Sequence, residues 1–165
     1  MALKADRYEE STDISHFYNE GTATRGGVVV LDAAALAGAS GAALDQGENL
    51  VKYAQVDKDS VPVGILLNDV VNKDLTRTHL NQYKDEVQKG GKVTVLRKGY
   101  VVTDKVSGTP TAGQWALASA NGTVSGVSDI DLGNVAPNSG ENMKVGKFLS
   151  VKDSDGYCKV EVNLP

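Results

Sequence analysis

The stretch GYCKVEVNL near the end of the chain constrains the fold more than any other. Cys158, Val160, Val162 and Leu164 alternate with Lys159, Glu161 and Asn163. Apolar and polar side chains at period 2 belong to a strand with one buried face. The preceding VGKFLSVK reads as a second strand, and DSDG between the two carries the Asp-Gly pair expected of a hairpin turn. The chain therefore ends in a β-hairpin.

Further strands are expected in GGVVVLD, NLVKYAQV, VPVGILLNDV, GKVTVLRKGYVVTDKV and QWALASA, and Asn121-Gly122 turns the last of these into TVSGV. Trp115 stands in an alternating strand context that suggests burial. The chain has 18 glycines against 4 prolines, and only two Phe, one Trp and six Tyr. Its core must then rest on Val, Leu, Ile and Ala, a choice that favours strands. Short strands separated by glycine turns predict a mainly-β fold, a small β-barrel or β-sandwich. With 165 residues, one β-rich domain over 26–165 is expected, preceded by an N-terminal arm over 1–25. Residues 71–88 carry a loose helical spacing and read as a short helix or a polar loop. Residues 128–142 have no period and read as a surface loop.

The N-terminal segment differs from the body. In STDISHFYNEG, Ser, Thr and Asp are candidate N-caps, Ile14, Phe17 and Tyr18 share one face at i, i+3, i+4, and Gly21 is a stop. This spacing predicts a short helical turn around residues 13–19. With Tyr8, the segment holds three of the nine aromatic residues, and it needs a surface to bury them against. That surface is either the protein's own body or a neighbouring subunit.

Reactive chemistry is poorly represented. His16 and His79 are the only histidines and read as ordinary exposed or half-buried side chains. No serine lies in a G-x-S-x-G turn, no G-x-G-x-x-G occurs, and Gly91-Lys92 is followed by valine where a phosphate loop needs Ser or Thr. One cysteine and two distant histidines give no zinc spacing. The Asp-x-Asp pairs at 153/155, 129/131 and 57/59 lack the later ligands calcium needs, and DSDG is better explained as a turn. No enzyme activity, cofactor or metal is expected. A net charge of −4 without a basic cluster disfavours nucleic acid. The single Cys158 requires no oxidising compartment and reads as a small buried hydrophobe. The opening MALKADRYEESTD lacks the apolar stretch of a secretory signal, and residues 26–44 are too rich in Ala and Gly, and carry a charge, for a membrane span.

One short frame recurs. Val63-Gly64-Ile65-Leu66-Leu67 and Val145-Gly146-Lys147-Phe148-Leu149 share Val-Gly-x-x-Leu. No helix is predicted after either glycine to aim amide groups at an anion, so neither is a phosphate cradle. Glycine inside a strand instead marks a bulge, a corner or a close backbone approach. The repeat is architectural.

The order of segments DISHFYNEGTATRGGVVVL, PVGILLNDV, GKVTVLRKGYVV, TAGQWALASANGTVS and VGKFLSVKDSDGYCKVEVNL resembles the capsid decoration (cement, or head-stabilising) proteins of tailed bacteriophages. The resemblance implies a structural virion protein, made in the host bacterial cytoplasm. It would bind the outer capsid surface, often as a homotrimer, and clamp neighbouring major capsid protein subunits against packaged DNA. It places capsid or neighbour contacts on Tyr8, Ile14, Phe17, Tyr18 and Arg25. The competing expectation is a receptor- or glycan-binding β-module of a head fibre or adhesin, which would display exposed aromatic residues on a rigid face.

Overall fold

A computed structural model describes residues 2–32, 49–55, 61–72, 76, 85–128 and 143–165. The protein is mainly β. Among the described residues thirteen strands run in chain order: β1 Tyr8–Asp13, β2 Phe17–Tyr18, β3 Val28–Leu31, β4 Leu50–Tyr53, β5 Pro62–Leu66, β6 Asp69–Val71, β7 Glu86–Gln88, β8 Val95–Thr103, β9 Val106–Ser107, β10 Trp115–Ala118, β11 Val124–Val127, β12 Lys144–Phe148 and β13 Cys158–Asn163. Eleven form one sheet in the order β2-β4-β3-β5-β8-β13-β12-β10-β11-β9, with β1 attached to β8, and β6-β7 form a separate parallel pair.

Strand β8 joins two halves. Its first residues pair with β5 (Ile65 opposite Leu96), and residues 98–103 pair with β13. One core cluster takes Val28, Val30 and Ile65 from the first half and Val145, Phe148 and Val160 from the second, so the halves face each other like the layers of a sandwich. The path ends at β2 and β9, which do not pair with each other, and the described strands close no barrel.

The first half is buried on both faces. Val28 and Val30 of β3 enter the shared core, while Val29 enters a second cluster with Tyr18, Val51, Val63 and Val95. This is why the sequence there reads as the unbroken run VVV rather than as an alternation. The second half has one wet face, and β13 keeps the expected pattern: Cys158, Val160 and Val162 buried, Lys159, Glu161 and Asn163 outward.

Both turn predictions hold. Asn121 and Gly122 between β10 and β11 have φ of 55° and 69°, the positive values that an Asn-Gly turn supplies at least strain. At Gly156 the backbone N–H donates to the Asp153 carbonyl, 3.0 Å, and the Asp153 carboxylate accepts from the backbone N–H groups of Asp155 and Tyr157. One carboxylate oxygen of Asp153, Oδ1, is thus committed to its own turn.

The helical turn around residues 13–19 does not form. The Asp13 carboxylate accepts the Ser15 backbone N–H at 2.8 Å, a local bond that turns the chain without starting a helix. The backbone N–H groups of Phe17, Tyr18 and Asn19 then donate to the carbonyls of Asn49, Gly91 and Val51. Bonds to segments distant in sequence outweigh a helical spacing only one turn long, as nucleation costs predict. Within 71–88, Val71 closes β6 and Glu86–Gln88 form β7. Residues 73–75 and 77–84, with His79, lie outside the described residues, as do 129–142 of the expected surface loop.

Candidate functional site

The outer face of the second half is set by strand register. Reading across six strands, Tyr8 (β1), Tyr100 (β8), Glu161 (β13), Lys147 (β12), Trp115 (β10) and Val127 (β11) stand opposite one another in turn. Side chains at directly opposed positions point to the same face. All six are exposed or half-exposed, so they make one continuous row on the solvent side.

Aromatic and charged groups pack onto each other along this row. Tyr8, 54% exposed, stacks on Tyr100 with centroids 5.9 Å apart, and the Lys159 ammonium lies 3.8 Å from the Tyr100 centroid. At the other end the ammonium groups of Lys144 and Lys147 sit 3.3 and 4.3 Å from the Trp115 centroid. A register shift between Ala116 and Leu117 lets two lysines three positions apart both reach that ring. Two shallow depressions of about 430 and 280 Å³ flank the row and share Glu161 and Asn163.

Trp115 is therefore not a core residue. Ala116 is opposed by Gly126 on one side and Gly146 on the other. The small residues share the inner face, and the large indole stays outside. His16 departs from its expected exposure too. It is buried, with Nε2 3.4 Å from the Asp13 carboxylate and Nδ1 without a hydrogen-bond partner. Hydrogen bonds from Ser15 hold the Asp13 carboxyl below its ordinary range.

The five residues proposed from sequence fall into three environments. Tyr8 belongs to the outer row, and Ile14 is 63% exposed. Phe17 is buried beneath the Lys92 ammonium, 5.6 Å from its centroid, and Tyr18 is 1% exposed, edge-on to Tyr53 in the second cluster. Desolvation pushes the Tyr18 hydroxyl well above the usual tyrosine range. Arg25 is half-buried, pairing with Asp69 at 3.7 Å and Asp85 at 3.1 Å, while its backbone N–H donates to Asp69. The segment that carries them lies along the body. Leu3 bridges Thr103 and is buried in the main core, and the Lys4 ammonium binds the Asp153 carboxylate at 2.8 Å.

Sequence reasoning did not find Tyr100, Lys144, Lys147 or the outward role of Trp115. Alternation had marked Glu161 and Asn163 as outward, but which strands flank them is set by pairings between distant segments.

The profile of a phage family described as "Structural cement protein (E217 gp24/Pam3 gp6)" matches residues 9–163. The match covers nearly the whole chain and every strand from β2 to β13, and the chain belongs to this family. It is a structural protein of the phage capsid, with capsid proteins as its binding partners and capsid stabilisation as its role. Comparison with curated proteins finds no match.

Proposed function

We propose that this protein sits on the outer surface of a tailed-phage head, bridges neighbouring major capsid subunits, and braces them against packaged DNA. The observation that carries the reading is the family match over residues 9–163. The fold suits a brace, since a sandwich whose strands pair mostly with partners distant in sequence resists local deformation. Its working form is a homotrimer. Exposed Ile14, Leu31, Val61, Leu149 and Val151 give apolar surface for contacts between copies or with the capsid.

Within the N-terminal segment, Tyr8 and Ile14 make the contacts, being the two of the five candidates with exposed apolar surface. Phe17, Tyr18 and Arg25 hold that segment on the body. Co-sedimentation with purified, undecorated heads tests the reading, with light scattering for the free protein. Saturable binding at a fixed copy number per capsid subunit, and a mass of three chains, are expected. Failure to bind mature heads at micromolar concentration overturns the capsid assignment, and a monomer both in solution and on heads overturns the trimer.

A further inference from the structure

We propose that the outer row from Tyr8 to Trp115 is the docking face for an acidic, extended segment of a capsid subunit, with a carboxylate received between Lys144 and Lys147. The inference rests on the capsid-binding reading above and names the surface and the partner chemistry.

Charge is the first ground. The two ammonium groups share one indole ring, so they are separated by no more than the sum of 3.3 and 4.3 Å. Neither has an ion pair with a carboxylate among the described residues. Glu161 stands opposite Lys147 across the ladder without forming an ion pair with it, so among the described residues two cations held this close to one ring lack a bound carboxylate. The ring attracts each of them, but their mutual repulsion opposes that attraction. A carboxylate from outside removes the conflict, and covering the site strengthens the new pair by excluding water.

Shape is the second ground. From Tyr8 to Trp115 the row crosses four strand intervals, roughly 19 Å at ~4.8 Å each, the reach of about six extended residues. The two depressions lie along this line and meet at Glu161 and Asn163, which offer an acceptor and an amide to a passing main chain. Tyrosine and tryptophan at either end are the residue types that dominate binding energy at protein interfaces.

The same geometry argues against a sugar. A glycan platform presents a free aromatic face, whereas lysines occupy the Trp115 ring, and Lys159 and Tyr8 lie against Tyr100.

The test compares wild type, K144Q/K147Q and K144R/K147R for co-sedimentation with undecorated heads, after thermal melting has established that all three are folded. Wild-type binding should weaken steeply with salt. The Gln pair should bind at least about tenfold more weakly, and the Arg pair, which keeps both charges over the ring, should bind close to wild type. If wild type binds heads and the Gln pair binds equally well, the docking face is wrong while the capsid role stands. If wild type does not bind at all, the capsid role itself fails. Quenching of Trp115, the only tryptophan, by sialyllactose or polygalacturonate, with head binding unaffected by the Gln pair, overturns the proposal in favour of an acidic glycan.

Discussion

Replacing Gly146 by alanine should damage this protein far more than one methyl group suggests. Gly146 lies in β12 opposite Val162. A Cβ there would overlap the Glu161 carbonyl oxygen of β13 and lie 2.8 Å from its carbon. Restoring ordinary contact requires the two strands to separate by roughly an ångström, which takes ladder bonds of ~2.9 Å beyond hydrogen-bonding range. Loss of about two such bonds at ~1 kcal/mol each, plus 1–3 kcal/mol for overpacking, gives roughly 3–5 kcal/mol. For a chain of this length that lowers Tm by about 6–20 °C. Gly108→Ala is the control: its φ of +73° disfavours a side chain, but nothing lies within 4 Å of the added atom, so about 1 kcal/mol is expected. Scanning calorimetry of both variants decides the matter. A Gly146→Ala melt within about 2 °C of wild type, or a larger loss at Gly108, would refute the close-approach argument.

Three further outcomes follow from the packing and ionisation of named side chains. Leu3→Ala should cost ~2–4 kcal/mol by chemical denaturation, because Leu3 is 3% exposed in the main core; a loss below ~0.5 kcal/mol would show that the first strand contact is dispensable. Burial raises the hydroxyl pKa of both Tyr18 and Tyr53, so their contribution is complete below the ordinary tyrosine pKa of 10.0 and is lost as pH rises through the raised values. Stability should fall above pH 10 and fall less in Tyr18→Phe, and equal alkaline limbs in the two proteins would contradict this. The Asp13 and Asp153 carboxyls are lowered, chiefly by hydrogen bonds from Ser15 and from Lys4, so their support is present above pH 3.8 and lost as pH falls through the depressed values. Asp13→Asn should flatten that acid limb in urea titrations, and an unchanged limb would exclude Asp13 as a contributor.

Local pattern carried the architecture further than it carried the surface. The alternation from Cys158 to Leu164 predicted its strand residue by residue, because one buried face leaves a period-2 record. The Val-Gly-x-x-Leu frames were legible as architecture, a bulge, a corner or a close approach, and the structure selects the close approach at both: at Gly64 a Cβ would lie 2.5 Å from the Leu96 carbonyl oxygen, and at Gly146 it would strike Glu161. The spacing of Ile14, Phe17 and Tyr18 misled because bonds to Asn49, Gly91 and Val51 lie far along the chain. Trp115 misled for a related reason. The alternation in WALA is compatible with either face inward, and only the glycines opposite Ala116 decide which. The outer row was invisible for the same reason, since its members come from six strands joined by long-range register.

The central claim is that the protein strengthens a phage head. The most direct measurement is heat-induced DNA release from undecorated, DNA-filled heads, followed with an intercalating dye as purified protein is added. The account predicts that the release temperature rises with occupancy and stops rising when the sites are full, with K144Q/K147Q requiring a higher concentration for the same rise. Heads that bind the protein to saturation yet release DNA at the undecorated temperature would contradict it.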